Sequence, residues 1–351
     1  MMAGTCIMIH DQKKSGGNNG INICVSNVIL RHKKSKNYLI FLFSFLAFLL
    51  SISQIFGNSP DYSEYADFFD LARKEGSDVL EQRFEQGFSI FVFMLSFFIS
   101  SNIIVYSIFV AVAAWMKGWV IDAYSLSAKV FIVAALFYLV RYFPLHDLTQ
   151  LRAACAITLM LVGSVFLWRG QLLFGIFICA SALAFHYSSA AVIPALFLQT
   201  NKRWLVVSIG GAVFAATSIF SGLITGYLSS FIVMLDSYRN NGFGEFTPNP
   251  FAIQLLIDWA IILVSFIVWE KLSTIMKRVV LLELIGMGIF YGGIDFAIIA
   301  HRVREFYSVF WLLYVIEGVQ QKSTRLLTYS FITISVTFYS YVFFLSGDFF
   351  H

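Results

Sequence analysis

The stretch RHKKSKNYLIFLFSFLAFLLSISQIF, residues 31–56, decides the fold class of this chain. Five of its first six residues are basic or histidine, and an apolar run follows from about Tyr38 to Phe56. An α-helix needs ~20 apolar residues to cross the hydrocarbon core of a bilayer, which this run nearly supplies. Basic residues beside a span stay on the cytoplasmic side. The polar residues after Phe56 are therefore predicted on the opposite, outer side.

The composition of the whole chain supports a membrane fold. Of its 351 residues, 59% are hydrophobic and only 13% are charged, and the mean hydropathy is +0.78. Soluble domains carry about 25% charged residues, so this chain cannot hide its apolar surface from water and lipid must be its solvent. The longest polar stretch between predicted spans is Gly57–Gln86, too short for a soluble catalytic domain. The sequence predicts an all-α polytopic membrane protein.

The remaining apolar runs predict ten further spans, which gives about eleven in total. Several are shorter than ~20 residues and must borrow flanking polar residues or lie where the bilayer is thin. In chain order the ten are Ile103–Met116, Lys129–Phe143, Ala153–Trp168, Leu172–Phe185, Ser189–Leu198, Trp204–Ile224, Phe251–Trp269, Val279–Ala300, Phe306–Val319 and Leu326–Leu345.

One further apolar run, Phe88–Ile99, decides on which side every later loop lies. If it crosses the membrane, each later loop changes side. If it is a re-entrant or interfacial helix, the basic loops all face the cytoplasm. The bias of Lys and Arg toward cytoplasmic loops favours the re-entrant helix. The basic sites that then share the cytoplasmic side are Lys117, Arg169, Asn201–Arg203, Glu270–Arg278 and Gln320–Arg325.

This topology divides the chain into two parts. Residues 1–36 are predicted to form a polar cytoplasmic tail, and residues 37–346 a single transmembrane domain. The outer loops of this domain are residues 57–87, 144–152 and 236–250. These loops hold most of the polar groups that topology does not explain, so the chemistry is expected on the outer face.

Four arginines lie near the predicted outer ends of apolar segments. Arg302 and Arg304 are either interface residues that extend their charges to the headgroups or a clamp for an anion, because a guanidinium suits phosphate oxygens and stays protonated. Arg152 begins a span and either pairs with an acid, Asp147 or a glutamate of a loop, or is available for binding. Arg141 lies one turn inside an apolar segment, where it can reach the interface or line a cavity. The positive-inside rule disfavours arginine on this face, which points to a binding role.

Four other candidate groups lie in the outer loops and turns. His186, in ALAFHYSS, is either a hydrogen-bonded core residue or, at a reversal between two spans, a group that binds phosphate or moves a proton. Asp61 and Tyr65 belong either to a solvated amphipathic helix or to a sugar-binding surface. Glu85 either caps the helix that begins near Phe88 or acts as a base.

No metal, cofactor or nucleic-acid partner is predicted. The chain has no HExxH, no DxD and no paired-histidine spacing of the kind that holds a metal. It also has no nucleotide-binding loop. The four cysteines, Cys6, Cys24, Cys155 and Cys179, lack ligand spacing and are predicted to be ordinary small side chains.

The order of these elements resembles the EpsG family, a branch of the Wzy-type O-antigen and exopolysaccharide polymerases. SPDYSEYADFF, residues 59–69, is similar to the family's Asp-x3-Tyr loop through Asp61 and Tyr65. EQGFSIFVFML, residues 85–95, is similar to its Glu-Pro-Gly-Phe element through Glu85, with Gln86 in place of proline.

The likeness continues farther along the chain. LRAACAITLMLVGSVFLWRGQ, residues 151–171, is similar to the Ile-Arg-Gln-Gly-x-Ala helix through Arg152, with two alanines in place of Gln-Gly. SALAFHYSSAAVIPALFL, residues 181–198, is similar to the Phe-His-x-Ser/Thr-Ala reversal through His186. HRVREFYSVFWLL, residues 301–313, looks like the Arg-x3-Tyr element, which matches Arg302 or Arg304.

The resemblance implies a multi-pass enzyme of the bacterial inner membrane with a GT-C-like glycosyltransferase architecture. Such an enzyme transfers a glycan from an undecaprenyl-diphosphate carrier onto another lipid-linked repeat unit at the periplasmic face, without a metal. The product would be an O-antigen of lipopolysaccharide, a capsule or an exopolysaccharide. The implied partners are the lipid-linked oligosaccharide, the bilayer and a chain-length regulator.

The resemblance also implies roles for the candidate residues. Arg152, Arg302 and Arg304 would bind diphosphate oxygens, with Arg141 as a further substrate-binding candidate. The catalytic candidates are Glu85, His186 and Asp61, and Tyr65 would position sugar. Two alternatives remain open at this point. One is an O-antigen ligase, which the short late loop at residues 236–250 disfavours, and the other is a polysaccharide flippase or transporter, which often shows internal repeats.

Overall fold

The computed structural model describes residues 36–54, 61–76, 84–223 and 249–346. In these ranges the protein is built from helices and contains no strand. The predicted tail at residues 1–36 and the predicted loop at residues 236–250 lie almost wholly outside them. The α-helices are α1 Asn37–Ser53, α2 Tyr62–Glu75, α3 Gln86–Phe98, α4 Asn102–Tyr124, α5 Ala128–Arg141, α6 Phe143–His146, α7 Leu151–Trp168, α8 Leu172–Ser181, α9 Arg203–Leu223, α10 Ile253–Ile267, α11 Thr274–Gly292, α12 Ala297–Ser308, α13 Trp311–Gln320 and α14 Arg325–Ser340.

The apolar helices agree with the predicted membrane fold. Four helices of the described ranges are long and apolar enough to cross a membrane, namely Asn102–Tyr124, Leu151–Trp168, Arg203–Leu223 and Arg325–Leu345. Five shorter apolar helical segments accompany them, among them Gln86–Phe98. The all-helical membrane fold class is therefore supported. The number of eleven spans, the re-entrant position of α3 and the GT-C-like architecture stay predictions.

The basic segments meet at one end of the helix bundle, which we call the basic end. Side chains from three distant parts of the chain contact the last turn of α4: Lys36 pairs with Asp122 at 3.0 Å, Arg169 donates to the carbonyl of Ala123 at 2.8 Å, and Gln320 donates to the carbonyl of Tyr124 at 3.1 Å. The topology prediction required these segments to share a side, and they do lie together. Which side of the membrane this is stays a prediction.

Lys117 departs from the prediction that placed it in a cytoplasmic loop. It lies inside α4, is fully buried, and pairs with the equally buried Asp147 at 2.5 Å. Asp147 belongs to the segment 144–152, predicted as an outer loop, of which Pro144, His146, Asp147 and Thr149 are buried. A charge can lie inside an apolar helix when an opposite charge neutralises it. The predicted span Ile103–Met116 therefore ended too early.

The predicted spans Leu172–Phe185 and Ser189–Leu198 form a broken helical reversal. Helix α8 ends at Ser181, and three short 3-10 segments follow, Ala182–Ala184, Tyr187–Ala191 and Pro194–Phe197. The chain returns to its starting point, because Trp168 at the end of α7 donates its indole N–H to the carbonyl of Leu196 at 3.1 Å. The reversal itself is confirmed, with His186 at its tip.

The segment HRVRE, residues 301–305, lies between the predicted spans Val279–Ala300 and Phe306–Val319 and was therefore interpreted as an outer connection, but it is helical. Helix α11 ends at Gly292, and α12 folds back along it, because Gly286 lies against Tyr307 while Gly293 lies near Ala300. A Cβ at Gly286 would stand 2.7 Å from the Tyr307 Cβ, so this glycine permits the close approach. The buried helix α13 then continues toward the basic end, where Gln320 contacts α4. Hydropathy placed the start of this helical segment too late, at Phe306, because Arg302 and Arg304 lie before that residue.

Candidate functional site

The carboxylate of Glu85 joins three separate parts of the chain. Its Oε2 accepts a hydrogen bond from Arg152 Nη1 at 2.6 Å, and its Oε1 lies 3.0 Å from His186 Nδ1. Glu85 precedes α3, Arg152 begins α7, and His186 lies at the tip of the helical reversal. We call Glu85, Arg152 and His186 the Glu85 cluster. The sequence named all three as candidates, and the structure brings them into direct contact.

The residues after Glu85 explain how the three parts approach so closely. Gly87 lies against the reversal: a Cβ at this position would stand 2.6 Å from the carbonyl oxygen of Ala184. Phe88 is fully buried and anchors the start of α3. Glu85 is the residue before the helix, but its side chain makes no capping hydrogen bond. Its carboxylate is therefore available to Arg152 and His186, and the capping role considered for it is wrong.

Aromatic rings enclose the cluster. The Arg152 guanidinium stacks 4.3 Å from the centroid of the Phe84 ring, and the imidazole of His186 packs 5.5 Å from Phe306 of α12. Tyr65 of α2 is buried, with its ring 6.0 Å from Phe84. Arg152 retains 22% side-chain exposure, against 6% for Glu85. The guanidinium of Arg152 is thus the most exposed group of the cluster.

Asp61 and Arg302 belong to the same region. Asp61 lies just before α2, and the charges of Arg302 and Arg152 both act on its carboxyl. Burial raises the pKa of Asp61 above its usual 3.8, and the two arginines only partly offset this effect. Burial likewise raises the pKa of the Tyr65 hydroxyl, against the opposing charge of Arg152. Asp61, Tyr65 and Arg302 therefore lie beside the Glu85 cluster, and their roles stay predictions.

The two carboxyl groups differ in the direction of their pKa shifts, and the difference bears on which can act as a base. Burial alone would raise the pKa of Glu85, but the hydrogen bond from His186 and the charge of Arg152 outweigh it and lower the pKa to about 2. A base works best when its pKa is near the working pH, so Glu85 is a poor base. Asp61, shifted upward, is the better candidate.

The charge of Glu85 also determines the tautomer of His186. An ionised carboxylate only accepts hydrogen bonds, so the Nδ1 of His186 carries the proton in the 3.0 Å contact. The Nε2 of a neutral imidazole is then an acceptor, and a protonated one would donate from both nitrogens. Glu85 orients both a guanidinium and an imidazole, and together they offer a site for an anion next to a proton-transfer group.

Arg304 and Arg141, also predicted to bind substrate, belong to a second cluster. Both guanidinium groups pair with Asp258 of α10, Arg141 at 2.5 Å. Arg304 is 4% exposed and Arg141 1%. Residues i and i+2 of a helix point in nearly opposite directions, so Arg302 and Arg304 cannot form one clamp. The predicted pair is divided, with Arg302 toward Asp61 and Arg304 toward Asp258; the binding roles themselves stay predictions.

Sequence reasoning missed two acids of this second cluster, Asp258 and Glu283. Each is the single acid of an apolar run, IQLLIDWAII and VVLLELIGM, and each is fully buried. An ionisable residue inside a membrane segment is expensive and usually functional, so this signal was present in the sequence. Among the described residues, no group of three or more His, Cys, Asp or Glu side chains is arranged to hold a metal ion.

Comparison with known proteins gave one match. The sequence model of the EpsG family matches residues 36–350. No curated protein and no solved structure matches the chain. The match covers every element that contributes to the Glu85 cluster and to the second cluster around Asp258.

Proposed function

The chain belongs to the EpsG family, whose members are Wzy-like polymerases, and we propose that it polymerises a surface glycan at the periplasmic face of the inner membrane. The substrate would be an oligosaccharide repeat unit linked to undecaprenyl diphosphate. The observation that carries the proposal is the Glu85 cluster with Asp61 and Arg302 beside it. Arg152 and Arg302, whose guanidinium groups suit a diphosphate, lie near Asp61, and the pKa of the Asp61 carboxyl group is raised.

The reaction needs little chemistry beyond binding and one proton transfer. The hydroxyl oxygen of the acceptor sugar forms a bond to the anomeric carbon of the donor glycan, and the bond from that carbon to the diphosphate oxygen breaks. The hydroxyl proton passes to a base, and the lipid diphosphate leaves with the electron pair. Because the donor is already activated, no nucleotide and no redox cofactor is required. The protein must stabilise the charge that develops on the diphosphate.

The proposed roles follow from the geometry of the site. Arg152 and Arg302 bind diphosphate oxygens, since a guanidinium offers a planar fork of donors. His186, oriented by Glu85, contacts the diphosphate or donates a proton to it. Asp61 accepts the proton of the acceptor hydroxyl because, unlike Glu85, it has a raised pKa. Tyr65 lies beside Arg152 and would form part of the surface on which a sugar rests.

The proposal is tested in a deletion strain that is complemented with single variants. Arg152→Ala and Arg302→Ala should leave the strain with single repeat units on its surface and no glycan ladder, at normal protein levels. Arg203→Ala is the matched control, because this arginine is exposed at the start of α9. It should restore the full ladder on a gel.

Two outcomes would overturn the proposal. A normal ladder in both Arg152→Ala and Arg302→Ala would remove the diphosphate site. Repeat units trapped on the cytoplasmic side of the deletion strain would instead indicate transport. Transporters often contain discontinuous helices, and residues 182–197 and the break between α12 and α13 are discontinuous here as well. Polymer that accumulates on the carrier lipid without reaching its final acceptor would indicate a ligase.

A further inference from the structure

We infer that Asp258 is a positioning residue for the polymerase reaction. Through Arg304 it holds α12 in the orientation that presents Arg302 and Phe306 to the Glu85 cluster. The inference rests on the proposed function, since it assigns a role within the same reaction. It changes the role of Arg304 from binding substrate to holding the helix that carries a substrate-binding residue.

The first observation is that both oxygens of the Asp258 carboxylate accept a hydrogen bond. Its Oδ1 accepts from Arg141 Nη2 at 2.5 Å, and its Oδ2 accepts from Arg304 Nη2. Arg141 in turn donates to Ser335 Oγ of α14 at 3.0 Å. Helices α5, α10, α12 and α14 are therefore tied together at one fully buried carboxylate, which has a relative exposure of 0%.

The second observation is what α12 carries on its other faces. The charge of Arg302 acts on Asp61, and the ring of Phe306 packs against His186. Two further contacts hold the C-terminal end of this helix: the Tyr307 hydroxyl donates to the carbonyl of Ala191 at 2.7 Å, and the Tyr142 hydroxyl donates to the carbonyl of Ser308 at 2.5 Å. In the middle of α12, the buried ion pair of Arg304 with Asp258 resists rotation of the helix.

The third observation concerns the charges around Asp258. Glu283 of α11 is fully buried within electrostatic range of Arg141 and Arg304, and neither of its carboxylate oxygens has a hydrogen-bond partner among the described residues. With Asp258 neutralised, Glu283 would be the acid left for Arg304 to turn to. Such a turn would rotate α12 and move Arg302 away from Asp61. A displacement of about 1 Å at a reacting group can lower a rate by ~10²-fold.

A direct substrate role for Arg304 is the competing explanation. It would require a guanidinium that is 4% exposed and already paired to exchange a buried partner for the diphosphate. Breaking a buried pair by removing one partner leaves an uncompensated charge and is strongly unfavourable. Arg152 and Arg302 need no such exchange, because both are partly exposed. The geometry thus favours positioning.

The test uses the purified full chain and a lipid extract of the deletion strain as the source of substrate. Asp258→Asn and Arg304→Gln should each lower the maximal rate of polymer formation by about 10- to 100-fold, with the KM for the extract within about twofold. The double variant should be no slower than the slower single variant, because residues that act as one unit are not additive. Asp258→Glu should recover part of the rate.

The matched control is Asp147→Asn. Asp147 is also fully buried and pairs with a cation, but that cation is Lys117 of α4 rather than Arg141 or Arg304. Its loss should lower the melting temperature while the rate per mole of folded protein stays normal. Should Asp258→Asn fail to fold, Arg304→Lys keeps the charge and removes the fork, and it should show the same loss of maximal rate.

Three results would contradict the inference. They are a normal rate per mole of folded Asp258→Asn or Arg304→Lys protein, losses that multiply in the double variant, and a KM that rises strongly in Arg304→Gln. Losses that multiply would mean that Asp258 and Arg304 act independently, and a strongly raised KM would mean that Arg304 contacts the substrate directly. Arg152→Ala in the same assay separates this inference from the proposed function. If Arg152→Ala forms polymer at the normal rate, the proposed function fails. If Arg152→Ala is impaired while Asp258→Asn and Arg304→Lys form polymer at the normal rate, only the positioning role fails.

Discussion

Replacing Glu85 by glutamine is the most informative single change in the site. The substitution keeps the size and shape of the side chain but removes the charge that Arg152 and His186 share. The amide of glutamine offers one acceptor oxygen in place of two, so at most one of these contacts survives. We expect Glu85→Gln to disorder the guanidinium and the imidazole together.

The size of the effect follows from the pKa of Glu85. A decrease from 4.5 to about 2, at about 1.4 kcal/mol per unit, means that the folded site favours the ionised form by about 3 kcal/mol. Less than a tenth of the side chain is exposed, so solvent screening reduces this value little. If the same interaction positions both groups in the transition state, its loss slows polymer formation by about 100-fold.

The measurement compares wild-type and Glu85→Gln protein in melting temperature and in polymer formed from the lipid extract. Asp67→Asn is the control, because Asp67 is an exposed acid on α2; it should match wild type in both. The pKa of Glu85 is lowered on folding, so its stabilisation is complete above its ordinary pKa of 4.5 and is lost as the pH falls toward 2. Above pH 5, Glu85 should therefore contribute a constant stabilisation that does not change with pH. An unchanged melting temperature together with an unchanged rate would refute the reasoning.

Two further predictions concern the base and the close approach at the reversal. Burial raises the pKa of Asp61, so its deprotonation should appear as a rise in the rate of polymer formation with pH above 3.8. Asp61→Asn should abolish this rise in a pH–rate profile. If the profile of this variant is slower but keeps its shape, Asp61 is excluded as the base. Gly87→Ala should destabilise the protein by about 1–3 kcal/mol, because its Cβ would meet the carbonyl oxygen of Ala184 at 2.6 Å. Gly211→Ala is the control and should not destabilise the protein, because no atom lies near the position of its Cβ. Equal melting temperatures for the two variants would contradict the packing described for the reversal.

The sequence was sufficient to predict the helical membrane class and the members of the Glu85 cluster. Glu85 lies 67 residues from Arg152 and 101 from His186, so periodicity could not place them in contact. Their candidacy came from the resemblance to the EpsG family and from their polar character beside apolar segments. The partner of Arg152 was predicted as either Asp147 or a glutamate of a loop, and the structure shows that it is the loop residue Glu85. That Asp147 pairs with Lys117 was not predicted.

The misplaced loops in the prediction share one physical cause. Hydropathy interprets a charge as a sign of exposure, whereas a charge with a buried partner lies inside an apolar helix at a tolerable cost. Lys117 was therefore placed in a loop, and the helix of Arg302 and Arg304 was interpreted as a loop. Arg304 has its partner 46 residues away, at Asp258. Only the three-dimensional arrangement separates an arginine that faces the site from one that faces the bundle.

The division of the two arginines also suggests how the donor substrate would prepare the base. In the structure, the charge of Arg302 opposes the burial effect and holds the pKa of Asp61 below the value that burial alone would give. A diphosphate bound to Arg302 would neutralise that charge and add negative charge of its own. Both effects raise the pKa of a nearby carboxyl group, which strengthens Asp61 as a base. Under the proposed function, Asp61 becomes a better proton acceptor once the donor is bound. Arg304 cannot take over the role of Arg302, because Asp258 already holds it in the bundle.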